Sequence, residues 1–198
     1  LDAIQLETQG IVGLKDLESG AVPSLRIQPI GNTPSTLLIT IRGNGPLDVV
    51  QVTRESSVAI HLDGIYLGRS QGLASEHADL ERIEVLQGPQ GTLFGRNATG
   101  GSINLISKDP SGEWGLKHTV TSGTFDAYQS ATRINFQEFS GISAKVDYRR
   151  STRDGWVKNS APGQADYNAY DKEGGRLSLD WKKDSLVAEY RGDYSDVD

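Results

Sequence analysis

Residues 113–198 alternate apolar and polar side chains through five successive segments, and a sustained period of two leaves few folds open. In "GISAKVDYR", Ile142, Ala144, Val146 and Tyr148 face one way, and Ser143, Lys145, Asp147 and Arg149 the other. In "GRLSLDWK", Leu177, Leu179 and Trp181 oppose Arg176, Ser178, Asp180 and Lys182. In "LVAEYRGDY", Leu186, Ala188, Tyr190 and Tyr194 oppose Glu189, Arg191 and Asp193. "YQSATRINFQ" repeats the pattern less cleanly, with Tyr128, Ile134 and Phe136 against Gln129, Arg133 and Asn135, and "WGLKHTVT" opens the series. The connections alternate between short turns ("GTFD", "EFSG", "KDS") and a long loop over 153–172. Antiparallel meander strands are the expectation. Two solvents fit them. A soluble sandwich turns its apolar face inward. A transmembrane barrel turns it to lipid and keeps a polar interior. The dense charge on the polar face, and Tyr or Trp near strand ends, suit the barrel; the pattern alone leaves both open.

The first 112 residues differ in composition. Of 14 aromatic residues only Tyr66 and Phe94 precede residue 113, whereas 15 of 23 glycines do. Two domains are expected, 1–110 and 113–198, joined where Pro110, Ser111 and Gly112 give a linker composition. The first reads as α+β. Leu1–Glu7 and Gly13–Ser19 suggest short helices, "STLLITIRG" a strand, and "VAIHLDGIYLGR" two strands around the hairpin dipeptide Asp63-Gly64. "ERIEVLQG" and "GSINLIS" are strands flanking a glycine-rich loop.

That loop is no phosphate cradle by its residues. "GPQGTLFGRN" lacks the Gly-Lys-Ser/Thr end of a P-loop, and no dinucleotide G-x-G-x-x-G is present. Gly88, Gly91, Gly95, Gly100 and Gly101 are expected to supply positive-φ turns or close backbone approaches instead. The net charge of −6 argues against nucleic acid. Cysteine is absent, and His61, His77 and His118 share no metal-ligand spacing, so no cofactor or metal site is expected. No nucleophile–base pair stands out, so an enzyme is not expected. No run approaches ~18 apolar residues, which says nothing about barrel strands. Methionine is absent even at position 1, so the chain is expected to be a processed product or a piece of a longer protein.

The stretch "RIEVLQGPQGTLFGRNATGGSINLISKDP" resembles the most recognisable segment of the plug domain of TonB-dependent outer-membrane receptors. "SLRIQPIGNTPSTLLITIRGNG", with Arg42 and Gly43, and "VAIHLDGIYLGRS", with Asp63 and Gly64, resemble plug strands in the right order. "TRDGWVKNS" is similar to the start of an early extracellular loop, and the five alternating segments lie where the family's barrel begins. The resemblance implies an N-terminal plug, its N-terminus periplasmic, inside a bacterial outer-membrane barrel of about 22 strands. About five of those strands are covered, so the transmembrane β-barrel is incomplete. It implies active uptake of a scarce nutrient: a ferric siderophore, haem, a cobalamin or an oligosaccharide. It implies energy from the TonB–ExbB–ExbD complex, acting through a TonB box that this chain does not show, and contact with outer-membrane lipid. The alternative is a passive ligand-binding or adhesion module on the same β-scaffold. The matching plug signature is Arg42, Gly43, Asp63, Gly64, Glu84, Gly88, Pro89, Gly91, Gly95, Arg96, Gly100 and Gly101. Arg42 and Arg96 are expected to pair with barrel carboxylates, Glu84 to find an Arg, and Asp63 to serve its turn. Trp156, Tyr167 and Tyr170 in the long loop are candidates for stacking on a ligand.

Overall fold

The computed structural model describes residues 1–30, 33–46, 55–70, 72–73, 79–161, 163–164 and 166–197. The chain forms two compact units. The first is Leu1–Ala74 with Leu80–Ser107, and the second is Ser75–Asp79 with Lys108–Asp198. Of the short stretch before residue 80, only Asp79 is described.

The first unit opens with α1 (Ala3–Thr8), whose start is fixed by a capping box. The Asp2 carboxylate accepts from the Gln5 amide at 2.8 Å, and Gln5 Oε1 accepts from the Asp2 amide at 3.0 Å. A 3-10 helix follows over Leu14–Ser19, where a short helix over Gly13–Ser19 was expected. It places Leu14 and Leu17 in the core. β1 (Leu25–Ile30) and β2 (Thr33–Ile41) form a two-stranded antiparallel sheet. Pro29 interrupts the amide pattern of β1, which hid that strand from the sequence reading.

A second sheet carries β3 (Val58–Leu62), β4 (Ile65–Tyr66), β5 (Leu80–Gln87) and β6 (Gly101–Ser107) in the order β4-β3-β6-β5. Asp63 and Gly64 both take positive φ, 49° and 81°, which matches the right-handed strand twist at a two-residue turn. β3 runs parallel to β6, and β5 antiparallel to it. The core of this unit is aliphatic: Leu25, Ile27, Leu37, Ile39, Ile41, Val58, Ile60, Ile83, Ile103 and Leu105 interlock with Leu6, Leu14 and Leu17.

The second unit is a five-stranded antiparallel meander of β7 (Gly115–Ser122), β8 (Tyr128–Asn135), β9 (Ile142–Arg153), β10 (Tyr170–Lys183) and β11 (Leu186–Val197). Register puts Leu116, Ile134, Val146 and Leu177 in one cross-strand row, and Lys117, Arg133, Asp147, Arg176 and Asp193 in the next. Directly paired residues share a face, so the first row is apolar and the second charged. Gly175 lies between Tyr148 of β9 and Tyr194 of β11, and both phenol hydroxyls donate to the Glu173 carboxylate, at 3.1 and 3.2 Å. Gly112 and its neighbours are not a slack linker. The Ser111 amide donates to the Asn135 side chain at 3.1 Å, and the Glu138 amide to the Gly112 carbonyl at 2.8 Å.

Candidate functional site

The meander inverts the usual rule of burial. Its charged face is the buried one: Lys145 is 2% exposed, and Asp147, Arg149, Lys172, Arg176 and Asp180 are also buried. Its apolar face is open, with Tyr190 58% and Leu186 64% exposed and Ile142, Val146, Leu177 and Trp181 beside them. A water-soluble sandwich would lose the hydration of those charges and gain nothing from the apolar face. Trp114 and Phe136 make an edge contact at 6.2 Å between ring centroids near the short-turn end of the apolar face. At the other end that face becomes polar, with Arg150 and Asp171 paired at 2.7 Å.

The charges of the buried face are stitched together. Asp79 is the hub. Its carboxylate receives Lys145 Nζ at 3.1 Å, Lys108 Nζ at 3.3 Å and Arg133 Nε at 3.4 Å. Burial pushes the Asp79 carboxyl up, but Lys145, Arg133 and Lys108 outweigh it and hold the group below the ordinary aspartate value. Lys145 also lies 3.6 Å from Asp147. A second group joins Asp109, Arg191 and Asp180, with Arg191 at 2.8 Å from Asp109 and 2.5 Å from Asp180. Arg176 donates to Asp193 at 3.2 Å. The sequence reading missed Asp79, Lys108 and Asp109. Their partners lie 29 to 82 positions away along the chain, so no local pattern marks them.

In the first unit, the glycine segment runs from the end of β5 through α2 (Gly91–Phe94), a single turn, to β6. Its amides are used internally. Gly88 donates to the Gly100 carbonyl at 3.1 Å, Gln90 to Ala98 at 2.8 Å, Gly95 to Gly91 at 3.0 Å and Gly100 to Ser57 at 2.8 Å. Those N–H groups are turned away from any bound phosphate. Gly101 has a φ of 154°, and a Cβ there would collide with the Leu86 carbonyl oxygen and lie 2.7 Å from Ile41 Cδ1. Gly91 departs from the expectation. Its φ is not positive and a Cβ would meet nothing within 4 Å, because it is an ordinary first residue of α2.

Beside this segment, His61 is buried between the rings of Tyr66 (5.5 Å) and Phe94 (5.1 Å). Burial lowers its pKa, with Asn104 opposing. His118 stands exposed on β7, 2.9 Å from the Thr132 hydroxyl, and His77 lies outside the described residues. Among the described residues no three His, Cys, Asp or Glu side chains gather as a metal site.

The long loop folds into a small hairpin. Val157 pairs with Tyr167, Lys158 Nζ meets the Asp166 carboxylate at 2.6 Å, and the Asn159 amide donates to the same group at 2.9 Å. The Lys158 bond, with the Asn159 amide, holds Asp166 below its ordinary pKa. Trp156 and Tyr167 are exposed, and Tyr167 is bridged to Val157, the residue after Trp156. Tyr170 lies apart, with the Arg153 guanidinium 4.8 Å and Lys172 Nζ 5.3 Å from its ring.

The family described as the TonB-dependent receptor plug domain matches residues 1–102. The chain belongs to the TonB-dependent receptor family. It is 28% identical to the pesticin receptor of Yersinia pestis over 169 residues, 84% of this chain and 24% of that protein. It is 39% identical to the catecholate siderophore receptor Fiu of Escherichia coli over 71 residues, 35% of this chain and 9% of that one. The chain thus spans a quarter or less of these relatives' length. The structure of the ferric yersiniabactin uptake receptor FyuA from Yersinia pestis shares the fold, with a TM-score of 0.84 at 23% identity over 100% of this chain and 31% of that one. The fold is a plug domain followed by antiparallel barrel strands, and the family is one of transport receptors, not enzymes.

Within the plug, the family signature residues fall into separate structural jobs. Arg42 (φ 52°) and Gly43 turn the chain after β2, and the Arg42 side chain meets no ion-pair partner among the described residues. Arg96 pairs with Glu55 of the plug itself at 3.2 Å. Glu84 does find an arginine. Arg82, its neighbour on the same face of β5, bonds it at 2.9 Å and holds its pKa below the ordinary value, helped by Asn104. Asp63 does more than turn the chain, because its carboxylate accepts from the Ser107 amide at 2.8 Å and ties the hairpin to the end of β6. Pro89 leads from the positive-φ Gly88 into α2.

Proposed function

We propose that the complete protein is an outer-membrane receptor that takes up a scarce chelated nutrient by a TonB-driven rearrangement of its plug. The observation that carries the reading is the inverted wall sheet, apolar outward and charged inward, which suits lipid on one side and a hydrated interior on the other. The plug gates the pore, with its N-terminus on the periplasmic side, and the TonB complex supplies the energy. The plug signature maintains the plug's shape: Gly88, Gly95 and Gly101 through backbone geometry, and Asp63 and Glu84 through bonds within its sheet. The printed names of Fiu and FyuA favour a ferric siderophore over haem, a cobalamin or an oligosaccharide as cargo. Trp156 and Tyr167, exposed on the long loop, contact it; Tyr170 is already held by Arg153 and Lys172 and contributes less.

The test is uptake of iron-55 presented on catecholate, hydroxamate and carboxylate chelators. Cells carrying the full-length receptor are compared with a deletion strain. The expected result is receptor-dependent accumulation of one chelate class that a protonophore abolishes. Receptor-dependent binding that never becomes protonophore-sensitive uptake would favour the passive module instead.

A further inference from the structure

His61 is a buried titratable side chain that the transport reading does not use. Ile60 beside it on β3 points into the aliphatic core, so His61 lies on the opposite face of the sheet. There it stands in a cross-strand row with Tyr66 of β4, Asn104 of β6 and Glu84 of β5. The two rings that flank it both reach the glycine segment. Phe94, the last residue of α2, lies 5.1 Å from the imidazole. Tyr66 lies 5.5 Å away on the other side, and its hydroxyl accepts from the Asn97 side chain at 2.9 Å. The amides of Phe94 and Gly95 close within the segment, on Gln90 and Gly91, and add no tie to the β3–β4 hairpin. Arg96 and Glu55 make an exposed pair, and such pairs contribute little. Among the described residues, the stack centred on His61 is therefore the main side-chain tie between the tip of the glycine segment and that hairpin.

We propose that His61 is a pH-sensitive latch: as neutral imidazole it pins α2 and Asn97 to the hairpin, and as imidazolium it releases them. The surroundings suit the neutral ring. Nδ1 lies 3.4 Å from the Ser102 hydroxyl, which donates to Asn104 Oδ1 at 3.1 Å. The Asn104 amide donates in turn to Glu84 at 3.3 Å, and Glu84 is already paired with Arg82 at 2.9 Å. The Asp63 carboxylate, two residues along β3, is taken by the Ser107 amide and hydroxyl. β4 offers the Tyr66 phenol and α2 only the Phe94 ring. A cation at this place has lost water without gaining a carboxylate. Burial accordingly lowers the His61 pKa, with Asn104 opposing. The stability that the neutral ring gives is therefore fully present above the ordinary value of 6.5 and is lost as pH falls through the lower folded value. To be hydrated, the charged ring has to leave its place between Tyr66 and Phe94. The latch belongs to the plug sheet and stands whether or not the receptor transports. Where the plug rearranges, as proposed above, acid makes the glycine segment easier to move.

The experiment is hydrogen–deuterium exchange of the full-length receptor in lipid nanodiscs, from about pH 8 to about pH 5. It is read by mass spectrometry and corrected for the chemical exchange rate at each pH. The expected result is that protection of residues 90–98 falls severalfold toward acid, while that of β2 (Thr33–Ile41) does not change. His61→Phe keeps an aromatic ring and cannot be protonated, so its protection is expected to stay constant across the range. If His61→Phe does not fold, Phe94→Ala takes its place. It removes one ring of the stack, and its segment is expected to exchange at neutral pH as fast as the wild type does in acid. Constant protection in the wild type, the same fall in His61→Phe, or full protection in Phe94→Ala at neutral pH overturns the inference. So does protection that rises toward acid, the outcome if the faces of Tyr66 and Phe94 stabilised the imidazolium. Uptake is not the readout, so failure of the transport reading would show separately and leave these results as they are.

Discussion

The plug sheet and the wall sheet are built from the same alternating strands and obey opposite rules. In the plug, Ile103 and Leu105 of β6 are fully buried and Arg82 and Glu84 of β5 lie at the surface. In the wall, Lys145 and Arg176 are buried, while Val146 and Leu177, one residue on, are exposed. Backbone pairing is indifferent to this choice; the medium beyond each face decides it. The wall therefore has to satisfy each inward charge with a partner, and Asp79, Asp109, Asp180 and Asp193 serve as such partners. The plug needs close apolar packing instead, and glycines that let strands approach.

The largest expected break of this contrast is Lys145→Met. Removing the cation leaves Asp79 and Asp147 facing each other with one fewer counter-charge. Loss of one partner of a buried pair costs about 3–5 kcal/mol. The measurement is equilibrium unfolding of the full-length receptor in bilayers; a loss below about 1 kcal/mol would mean that water reaches the hub.

The next tests the facing of the wall. Val146→Arg puts a charge on the apolar face and should cost about 2–4 kcal/mol near the membrane midplane, with much less for Ser143→Arg on the charged face. Equal losses in the two variants would count against lipid on the Val146 side.

Within the plug, Gly101→Ala should cost about 1 kcal/mol or more, because the new methyl meets the Leu86 carbonyl at an unfavourable φ. Gly91→Ala should be neutral or stabilising by up to about 1 kcal/mol, since it enters open space at the start of α2. Thermal melting of the two variants sharpens the distinction between glycines that shape the loop and one that does not.

The smallest effect is in pH. Asp79 has its pKa lowered in the folded state, so its contribution to stability is fully present above the ordinary value of 3.8 and is lost as pH falls through the lower folded value. Acid unfolding of the wild type should therefore steepen below pH 3.8 relative to Asp79→Asn, and superimposable acid profiles would show that the carboxylate carries no such linkage.

The wall was legible in the sequence because period two survives burial of either face. Ile142, Val146 and Tyr148 alternate with Lys145, Asp147 and Arg149 whichever side meets water. Which side did was not legible, since both a sandwich and a barrel write the same pattern. The Asp63-Gly64 turn was readable from two residues because both positive φ values are local. β1 was missed where Pro29 breaks its amide pattern, and the 3-10 form of Leu14–Ser19 could not be told from a helix by its leucine spacing. Most of the charged hub was invisible for a different reason. Asp79 meets Lys145 across 66 positions, and a single sequence contains no signal for such a meeting.

The glycine between two tyrosines on the wall also bears on how the strands find their alignment. Tyr148 and Tyr194 approach Gly175 from opposite neighbours and share the Glu173 carboxylate, so three strands agree at one point on which residues stand abreast. A one-residue slip of β10 would carry Arg176 and Asp180 to the oily side and turn Leu177 and Trp181 inward. Strands of strict alternation offer that error at each step, and the long connection from Arg153 to Tyr170 does not fix the β9–β10 register as a short turn would. The shared Glu173 contact of Tyr148 and Tyr194 is lost in either one-residue slip, so this row gives the native alignment bonds that its neighbours lack.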